Sequence, residues 1–529
     1  MNPAASKRLV FASVAILDRA LGLFTPRVGT HRILLAPGIV NLRQTWGRWR
    51  AWRTFELAAR KVPAYRDFLL KHGAPLALDC APRDVEEAWA RLPEMDKDSY
   101  IRAYTIPERT FGGRLPRRGV VVDESSGSSG TPTSWVRGPE ERHATRNILR
   151  VGYSQTASEL NKPPFVLNAF SLGAWATGMN VTASLTGVTM MKSIGPDPGK
   201  IIATMKEFGP GFTYVIMSYP PFLKSLFEDE RLDWGGYDVV AAFGGEGISE
   251  SMRTQILKTA HKVYGCYGAS DLEINLGLET DYTVALRRAI AEDPGLSAAL
   301  TKRDEYGVLP MIFQYNPFNY LIETNASGEF VVTITRRHNI SPRLRYNIHD
   351  RGHVMSVKEV NRVLKERGHG GIVATQLLDL PVLFHYGRSD LSVDYNGAVV
   401  APDTLRDVVF ADPTLGERVE NHRLVSFEDT RGDRQLHLAL QLREGAQLDA
   451  EEADAAVTQL GAELRRLNTD FDHAILTAPE RTWPTVAFYP YRTGPFAGDG
   501  AKLKNEYVWQ LSAQDAAAHA LDFGRRLTP

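Results

Sequence analysis

Between Phe165 and Tyr267 short apolar runs alternate with helical patterns, and this alternation limits the fold more than any other feature of the chain. The runs include Phe165-Val-Leu-Asn-Ala-Phe170, Val188-Thr-Met-Met191, Gly211-Phe-Thr-Tyr-Val-Ile-Met217 and Val239-Val-Ala-Ala-Phe243. Each is rich in β-branched, aromatic or other apolar residues and reads as a strand. Helical patterns at Lys200–Phe208, Pro221–Glu228 and Ser249–Thr259 separate them. Strands joined through helices predict a largely parallel sheet covered on both faces. In such sheets ligands gather at the carboxyl ends of the strands. Phe170, Trp175, Met217, Tyr219 and Phe243 lie near those ends and are candidates to line a site for an aryl or otherwise hydrophobic group. Core packing is the competing role for each of them.

A chain of 529 residues, 43% hydrophobic and 23% charged, has the make-up of a globular protein of two or more domains. Lys+Arg and Asp+Glu both number 62, so no net field draws it to nucleic acid or membrane. Cys80 and Cys266 are too few for a disulfide framework, and the 13 histidines show no metal-ligand spacing. A reducing, cytoplasmic setting is expected. Near the N-terminus, Leu9–Leu17 is apolar, but Asp18 and Arg19 close that run well short of the ~20 residues a spanning helix needs. Val10, Val14, Leu17 and Leu21 lie near one helical face, which predicts an amphipathic helix docked on the domain body. Peripheral membrane contact, helped by Arg48, Arg50 and Arg53, is the alternative. Residues 1–85 read as a helical extension, with a helix that breaks at Pro63 and resumes.

Gly119-Val-Val-Val122 reads as a further strand, and Gly138-Pro-Glu-Glu-Arg-His opens a helical pattern. Between them lies Asp123-Glu-Ser-Ser-Gly-Ser-Ser-Gly-Thr-Pro-Thr133. Ser125, Ser126, Gly127, Ser128, Ser129, Gly130 and Thr131 offer backbone N–H groups and hydroxyls that can converge on a phosphate. No lysine follows Gly130, so this is not the common Gly-Lys-Ser/Thr loop, and a flexible linker is the plainer alternative. Two later strands run into Phe243-Gly-Gly-Glu-Gly-Ile-Ser249 and Val263-Tyr-Gly-Cys-Tyr-Gly-Ala-Ser-Asp271. Glycines there let a flat ring lie on the backbone, Tyr267 offers a stacking face, and Asp271 offers a carboxylate to a cation; ordinary glycine turns are the alternative. Further on come Ser341-Pro-Arg-Leu-Arg-Tyr-Asn-Ile-His-Asp350, Phe384-His-Tyr-Gly-Arg-Ser-Asp390 with a hairpin turn at Asn396-Gly397, and Gly500-Ala-Lys-Leu-Lys504.

In this order the motifs resemble those of the adenylate-forming superfamily, which includes acyl-CoA synthetases, luciferases and the adenylation domains of peptide synthetases. Ser126-Gly-Ser-Ser-Gly-Thr-Pro-Thr133 and Gly387-Arg-Ser-Asp390 resemble its phenylacetate-CoA ligase-like branch, as does Val62-Pro-Ala-Tyr-Arg66. The resemblance implies an ATP loop at Ser125–Thr131, an adenine-binding loop at Gly244, Gly245 and Glu246, and a Tyr-Gly-x-Ser/Thr-acid motif at Tyr267, Gly268, Ser270 and Asp271. It implies Mg²⁺ at Asp271, ribose at Asp350, a further nucleotide contact at Arg388, a hinge at Asp390 and a catalytic lysine at Lys502, with Lys504 as the other candidate. The chain departs from the pattern at Asp271, where the family has Glu, at Thr131, often Lys in the branch, and at Leu391, where a second Asp is usual.

The implied fold is α/β: a large domain at 86–388 with parallel-type sheets and a β-rich part, behind the helical extension at 1–85. A small mobile α+β lid follows at 389–529. The implied reaction joins a carboxylic acid to AMP with release of pyrophosphate, then passes the acyl group to a thiol, with coenzyme A as acceptor. Transfer to an amine or a carrier-protein thiol is the alternative, and a non-catalytic nucleotide-binding protein is the third reading.

Overall fold

The computed structural model describes residues 3–24, 40–125, 133–173, 176–306, 308–336, 339–389, 392–497 and 507–511, with 515–516, 519, 521 and 524–529 near the C-terminus. Two long helices, Pro3–Phe24 and Val40–Lys61, open the chain. Pro63 cannot donate the next helical hydrogen bond, so the second helix stops at Lys61 and a new one starts at Pro63–Lys71. Val10 and Val14 bury against Trp46 and Phe318, and Lys7 pairs with Glu56 at 3.0 Å. Trp52, Phe55, Tyr65 and Phe68 enter the same core as the central sheet. The extension is therefore part of the large unit's core. No helix among the described residues is long and apolar enough to cross a membrane.

The Ser/Gly loop joins a hairpin. β1 (Val121–Ser125) pairs antiparallel with β2 (Thr133–Arg137), with Ser125 opposite Thr133. Thr133–Arg137, which falls within the stretch expected as loop, is thus a strand, and Val122 of its partner is 55% exposed. The helix Pro139–Ala157 starts one strand later, from Gly138.

The central sheet has eleven strands among the described residues. Its parallel half holds β3 (Pro164–Asn168), β4 (Met190–Ser193), β5 (Thr213–Ser218), β6 (Asp238–Phe243) and β7 (Lys262–Tyr267), in the spatial order β4-β3-β5-β6-β7. The antiparallel half follows through β8 (Gly277–Leu278), β9 (Met311–Tyr315), β10 (Tyr320–Thr324), β11 (Glu329–Ile334), β12 (Tyr346–Met355) and β13 (Val382–Arg388). The β-rich stretch thus extends the parallel sheet edge to edge, with the short β8 as the joint. Helices Pro198–Phe208, Pro220–Phe227 and Glu250–Ile256 connect the parallel strands. Arg253 of the last donates to the Val263 carbonyl at 2.9 Å and to Glu279 at 2.6 Å, both side chains fully buried. An ion pair so deep offsets its desolvation only by such complete bonding. Here it fixes β7 against the segment that follows β8.

A second hydrophobic cluster begins at Val393 and runs to Leu527. It contains the hairpin β14 (Val393–Tyr395) and β15 (Ala398–Val400), whose two-residue turn is Asn396-Gly397, both with positive φ. It also contains a five-stranded sheet of β16 (Val419–Glu428), β17 (Arg434–Leu442), β18 (Thr485–Tyr489), β19 (Val508–Leu511) and β20 (Arg525–Arg526), ordered β19-β16-β17-β18-β20. Helices Ala450–Leu467 and Thr469–Thr477 accompany it. A charged clamp ties this unit to the large one. Lys224, 1% exposed at its side chain, meets Asp433 at 2.8 Å, while Arg481 reaches Asp433 at 2.9 Å and Glu228 at 2.6 Å. Nearby, Ser251 donates to Glu428 at 2.8 Å.

Candidate active site

Two cavities meet at the carboxyl ends of the parallel strands. One, of about 290 Å³, is lined by polar groups of both units; the other, of about 200 Å³, is overwhelmingly apolar. Thr177, Cys266 and Ile274 line both, and so mark the junction.

The polar cavity is built on the loop after β7. A Cβ on Gly268 would stand 2.1 Å from the Ile274 carbonyl oxygen, so only glycine lets the chain fold back so tightly here. The backbone N–H of Leu276 then bonds to the Tyr267 carbonyl at 2.7 Å, and that of Ala269 to Glu273 at 2.9 Å. Arg137 of β2 donates to the Leu272 carbonyl at 2.6 Å and also to Ser270, so the β1–β2 hairpin is anchored on this loop. Arg343 donates to the Asp271 carbonyl at 3.0 Å with its guanidinium 5.0 Å from the Trp135 ring centroid. The Asp271 carboxylate accepts from the Tyr346 hydroxyl at 2.6 Å. These contacts hold the carboxylate at the cavity wall.

Across the cavity, the Tyr267 hydroxyl donates to Asp350 at 2.6 Å and His385 Nε2 stands 3.3 Å from the same oxygen. Burial alone would push the Asp350 carboxyl up, but His385, Arg388 and the Tyr267 hydroxyl together hold it below its ordinary range. It is therefore an anion at neutral pH. The Tyr267 ring stacks on Phe313 at 5.6 Å. Behind Asp350, His349 adopts φ +59°, with its ring between Glu329 at 3.3 Å and Asp96 at 3.7 Å. Those carboxylates, Asp96 foremost, push His349 up to about 9.

The loop after β6 forms a third side. Gly245 has φ +88°, and a Cβ there would stand 3.0 Å from the Tyr219 ring. Glu246 is 8% exposed, and burial pushes it up to about 7 against the pull of Arg434 at 3.8 Å. One carboxyl oxygen accepts from the Gly397 N–H at 3.4 Å; the other has no hydrogen-bond partner among the described residues.

Of the residues singled out in the sequence, Gly245, Glu246, Tyr267, Gly268, Ser270, Asp271, Asp350 and Arg388 line the polar cavity. Gly244 lines neither cavity; a Cβ there would lie 2.7 Å from the Cys266 sulfur. Phe170, Met217 and Phe243 line the apolar cavity, whereas Tyr219 lines the polar one, between Gly245 and Gly397, with its hydroxyl 3.3 Å from Ser171. Ser125 closes β1, and nothing further is described of its side chain. Ser126, Gly127, Ser128, Ser129, Gly130, Thr131, Trp175, Asp390, Lys502 and Lys504 lie outside the described residues.

Sequence reasoning missed several groups that the fold brings in. Lys97, Glu124, Tyr346, His349 and His385 join from the large unit, and Asp394, Asn396, Gly397, Asp470 and His473 from the second. His473 Nδ1 lies 3.4 Å from Ser171 Oγ. Tyr346, His349 and His385 sit inside motifs already noticed, and Asn396-Gly397 was visible as a turn. Lys97, Asp470 and His473 carry no signal of their own. The Cys266 thiol at the junction is pushed up to about 12 by burial, so it is not a ready nucleophile.

The sheet and the second unit together make up a fold shared with an acyl-CoA ligase of known structure. Among solved structures, the chain is similar to 2-hydroxyisobutyryl-CoA ligase in complex with 2-HIB-AMP and CoA in the thioesterification state. That likeness has a TM-score of 0.64 at 14% identity, over 90% of this chain and 91% of that one. The same ligase in the postadenylation state with R3-HIB-AMP aligns over the same shares at 14% identity with a TM-score of 0.50. No family model and no curated protein matches the chain by sequence.

Proposed function

We propose that the protein activates a hydrophobic carboxylic acid with ATP, releasing pyrophosphate, and passes the acyl group from acyl-AMP to the thiol of coenzyme A. The observation that carries this reading is the junction: a cavity walled by Tyr267, Asp271, Asp350 and Arg388 adjoins an apolar one at Thr177, Cys266 and Ile274, which line both. The polar groups of the first cavity suit a charged nucleotide half, and the apolar lining of the adjoining one suits an apolar acyl half. The motifs at Ser125–Thr133 and Gly387–Asp390 favour the phenylacetate-CoA ligase-like branch within the fold.

Asp350 supplies an anionic acceptor for vicinal hydroxyls, and Glu246 a buried acceptor for an amine of the base. Mg²⁺ fits the donor set: Asp271 offers one carboxylate, and no cluster of three His, Cys, Asp or Glu exists among the described residues. Mg²⁺ commonly takes one or two carboxylates and completes its shell with phosphate and water. Bound there, it would neutralise phosphate charge.

In the first half-reaction a carboxylate oxygen attacks the α-phosphorus, and the bond to pyrophosphate breaks. Two unit charges about 4 Å apart repel by about 4 kcal/mol at an effective dielectric of 20. Cations and N–H donors must cancel that repulsion, which is the role assigned to the turn at Ser126–Thr131 and to Lys502, with Lys504 as the other candidate. In the second half-reaction a thiolate attacks the acyl carbon and AMP departs with the bonding pair. A turn of the second unit about Asp390 would withdraw the lysine and open the acyl-AMP to the thiol. The greater likeness to the thioesterification state than to the postadenylation state supports assigning the present placement of that unit to the second step.

Pyrophosphate exchange over a panel of aryl, branched and straight-chain acids tests the reading. Exchange dependent on one class of acid, and thioester formed only when CoA is added, is the expected result. No exchange with any acid would overturn it.

A further inference from the structure

One polar group on the apolar cavity has nothing to bond to. Asn275 is 2% exposed and lines that cavity, and its side-chain Nδ2 has no hydrogen-bond partner among the described residues. Two other deeply buried polar side chains of the same wall, Glu279 and Gln314, are satisfied. Glu279 is held by Arg253 at 2.6 Å and by the Gly265 N–H at 2.6 Å. Gln314 accepts from Thr280 at 3.2 Å and donates to the Leu380 carbonyl at 3.1 Å. The rest of the wall is largely aliphatic and aromatic, including Leu149, Val181, Leu185 and Val240. An orphaned amide in such surroundings is unfavourable, so a bound molecule that supplies its partner recovers that loss.

We propose that the acid activated here carries a hydroxyl or keto oxygen on an otherwise apolar skeleton, and that Asn275 binds that oxygen. The inference rests on the adenylation reading above and names the substrate class within it. Asn275 is adjacent in sequence to Ile274, a residue of the junction, so the amide recognises the acyl group while the nucleotide occupies the other cavity. A hydroxyl satisfies the amide in either orientation of its oxygen and nitrogen; a keto oxygen satisfies the nitrogen.

The test is pyrophosphate exchange with matched pairs. Octanoic acid is set against its monohydroxy and mono-oxo positional isomers, and phenylacetic acid against the hydroxyphenylacetic acids. At least one oxygenated acid is expected to exceed its parent in kcat/KM by about tenfold or more. Asn275→Leu should abolish that preference and raise turnover of the parent acid, with the KM for ATP unchanged. Asn275→Asp, nearly isosteric, should keep the hydroxy acids and, assayed at alkaline pH where the buried carboxyl is ionised, lose the oxo acids, because a carboxylate accepts from a hydroxyl but cannot donate to a ketone. Thermal melting and ATP binding of both variants verify that they fold. Parent acids preferred by the wild type, or a preference that survives Asn275→Leu, overturns the inference alone. No exchange with any acid overturns the adenylation reading, and the inference falls with it.

Discussion

The two cavities are walled in different ways. The polar one is made of segments far apart in the chain, each held by a specific polar contact: Arg137 on the Ser270 and Leu272 carbonyls, Tyr346 on Asp271, Tyr267 on Asp350. The apolar one is lined by residues that also belong to the core, such as Phe170, Val181 and Val215, and its shape follows from how the helix Ala176–Leu185 lies on the sheet. Charged and hydrogen-bonded geometry constrains residue type tightly, whereas a cavity wall accepts many apolar residues of similar volume. Chemistry common to a fold should therefore reside in the first cavity, and the choice of acid in the second.

The largest expected effect tests whether charge cancellation belongs wholly to the polar side. Lys502→Ala should lower acid-dependent pyrophosphate exchange by about a hundredfold or more. Ready-made acyl-AMP should still be consumed with CoA at near the wild-type rate. Equal loss in both steps would sink the division of labour. If Lys502→Ala is mild and Lys504→Ala severe, the roles of the two lysines are exchanged.

A pair of substitutions then separates the cavities. Asp350→Asn removes the anion but not the shape, and should raise the KM for ATP by about tenfold while leaving the order of preference among acids intact. Val181→Phe narrows the apolar cavity from a position 2% exposed, and should raise the KM of the longest accepted acid by about tenfold with little change for ATP. Steady-state kinetics with each substrate varied in turn reads both. Cross-effects as large as the direct ones would mean that the two cavities act as one.

The same contrast explains what was legible in the sequence. Gly268, Asp271, Asp350 and Arg388 stand in short motifs that were legible together, through their order and their resemblance to the adenylate-forming superfamily, and not singly. Phe170, Met217 and Phe243 were accessible because strand alternation locates strand ends. Leu149 and Asn275 were not, because a residue beside a cavity and one beside solid core look alike in composition. Asp394, Asp470 and His473 depend on how the second unit is seated, which no local pattern encodes. Thr133–Arg137 was missed as a strand because it follows Pro132 and pairs only with its hairpin partner β1, outside the large sheet. The placement of β8 between two differently built half-sheets was equally hidden, as a two-residue strand has no period to read.

The smallest effect concerns the support behind the polar wall. His349 is flanked by Asp96 and Glu329, which hold its pKa near 9 against an ordinary value of 6.5. A raised cation contributes stability that is complete below the unfolded value and disappears as pH rises through the folded one. His349 should therefore stabilise the protein fully below about pH 6.5 and not at all above about pH 9. Its two carboxylate neighbours are shifted the other way: Asp96 falls well below its usual range, and Glu329 is lowered to about 2 by Asn347, Ser389, Asn325 and His349 despite its burial. Their share persists through this window and fails only in acid. The His349 side chain is 38% exposed, so solvent screening trims the gain to a Tm change on the order of 1–2 °C. The gap in Tm between wild type and His349→Gln should accordingly be widest near pH 6 and close toward pH 9. The same scan on Val181→Phe should show a gap that does not depend on pH, because no group on that wall titrates through Val181. A flat gap for His349→Gln would remove the charged network from the polar wall and leave the two cavities distinguished by hydrogen bonding alone.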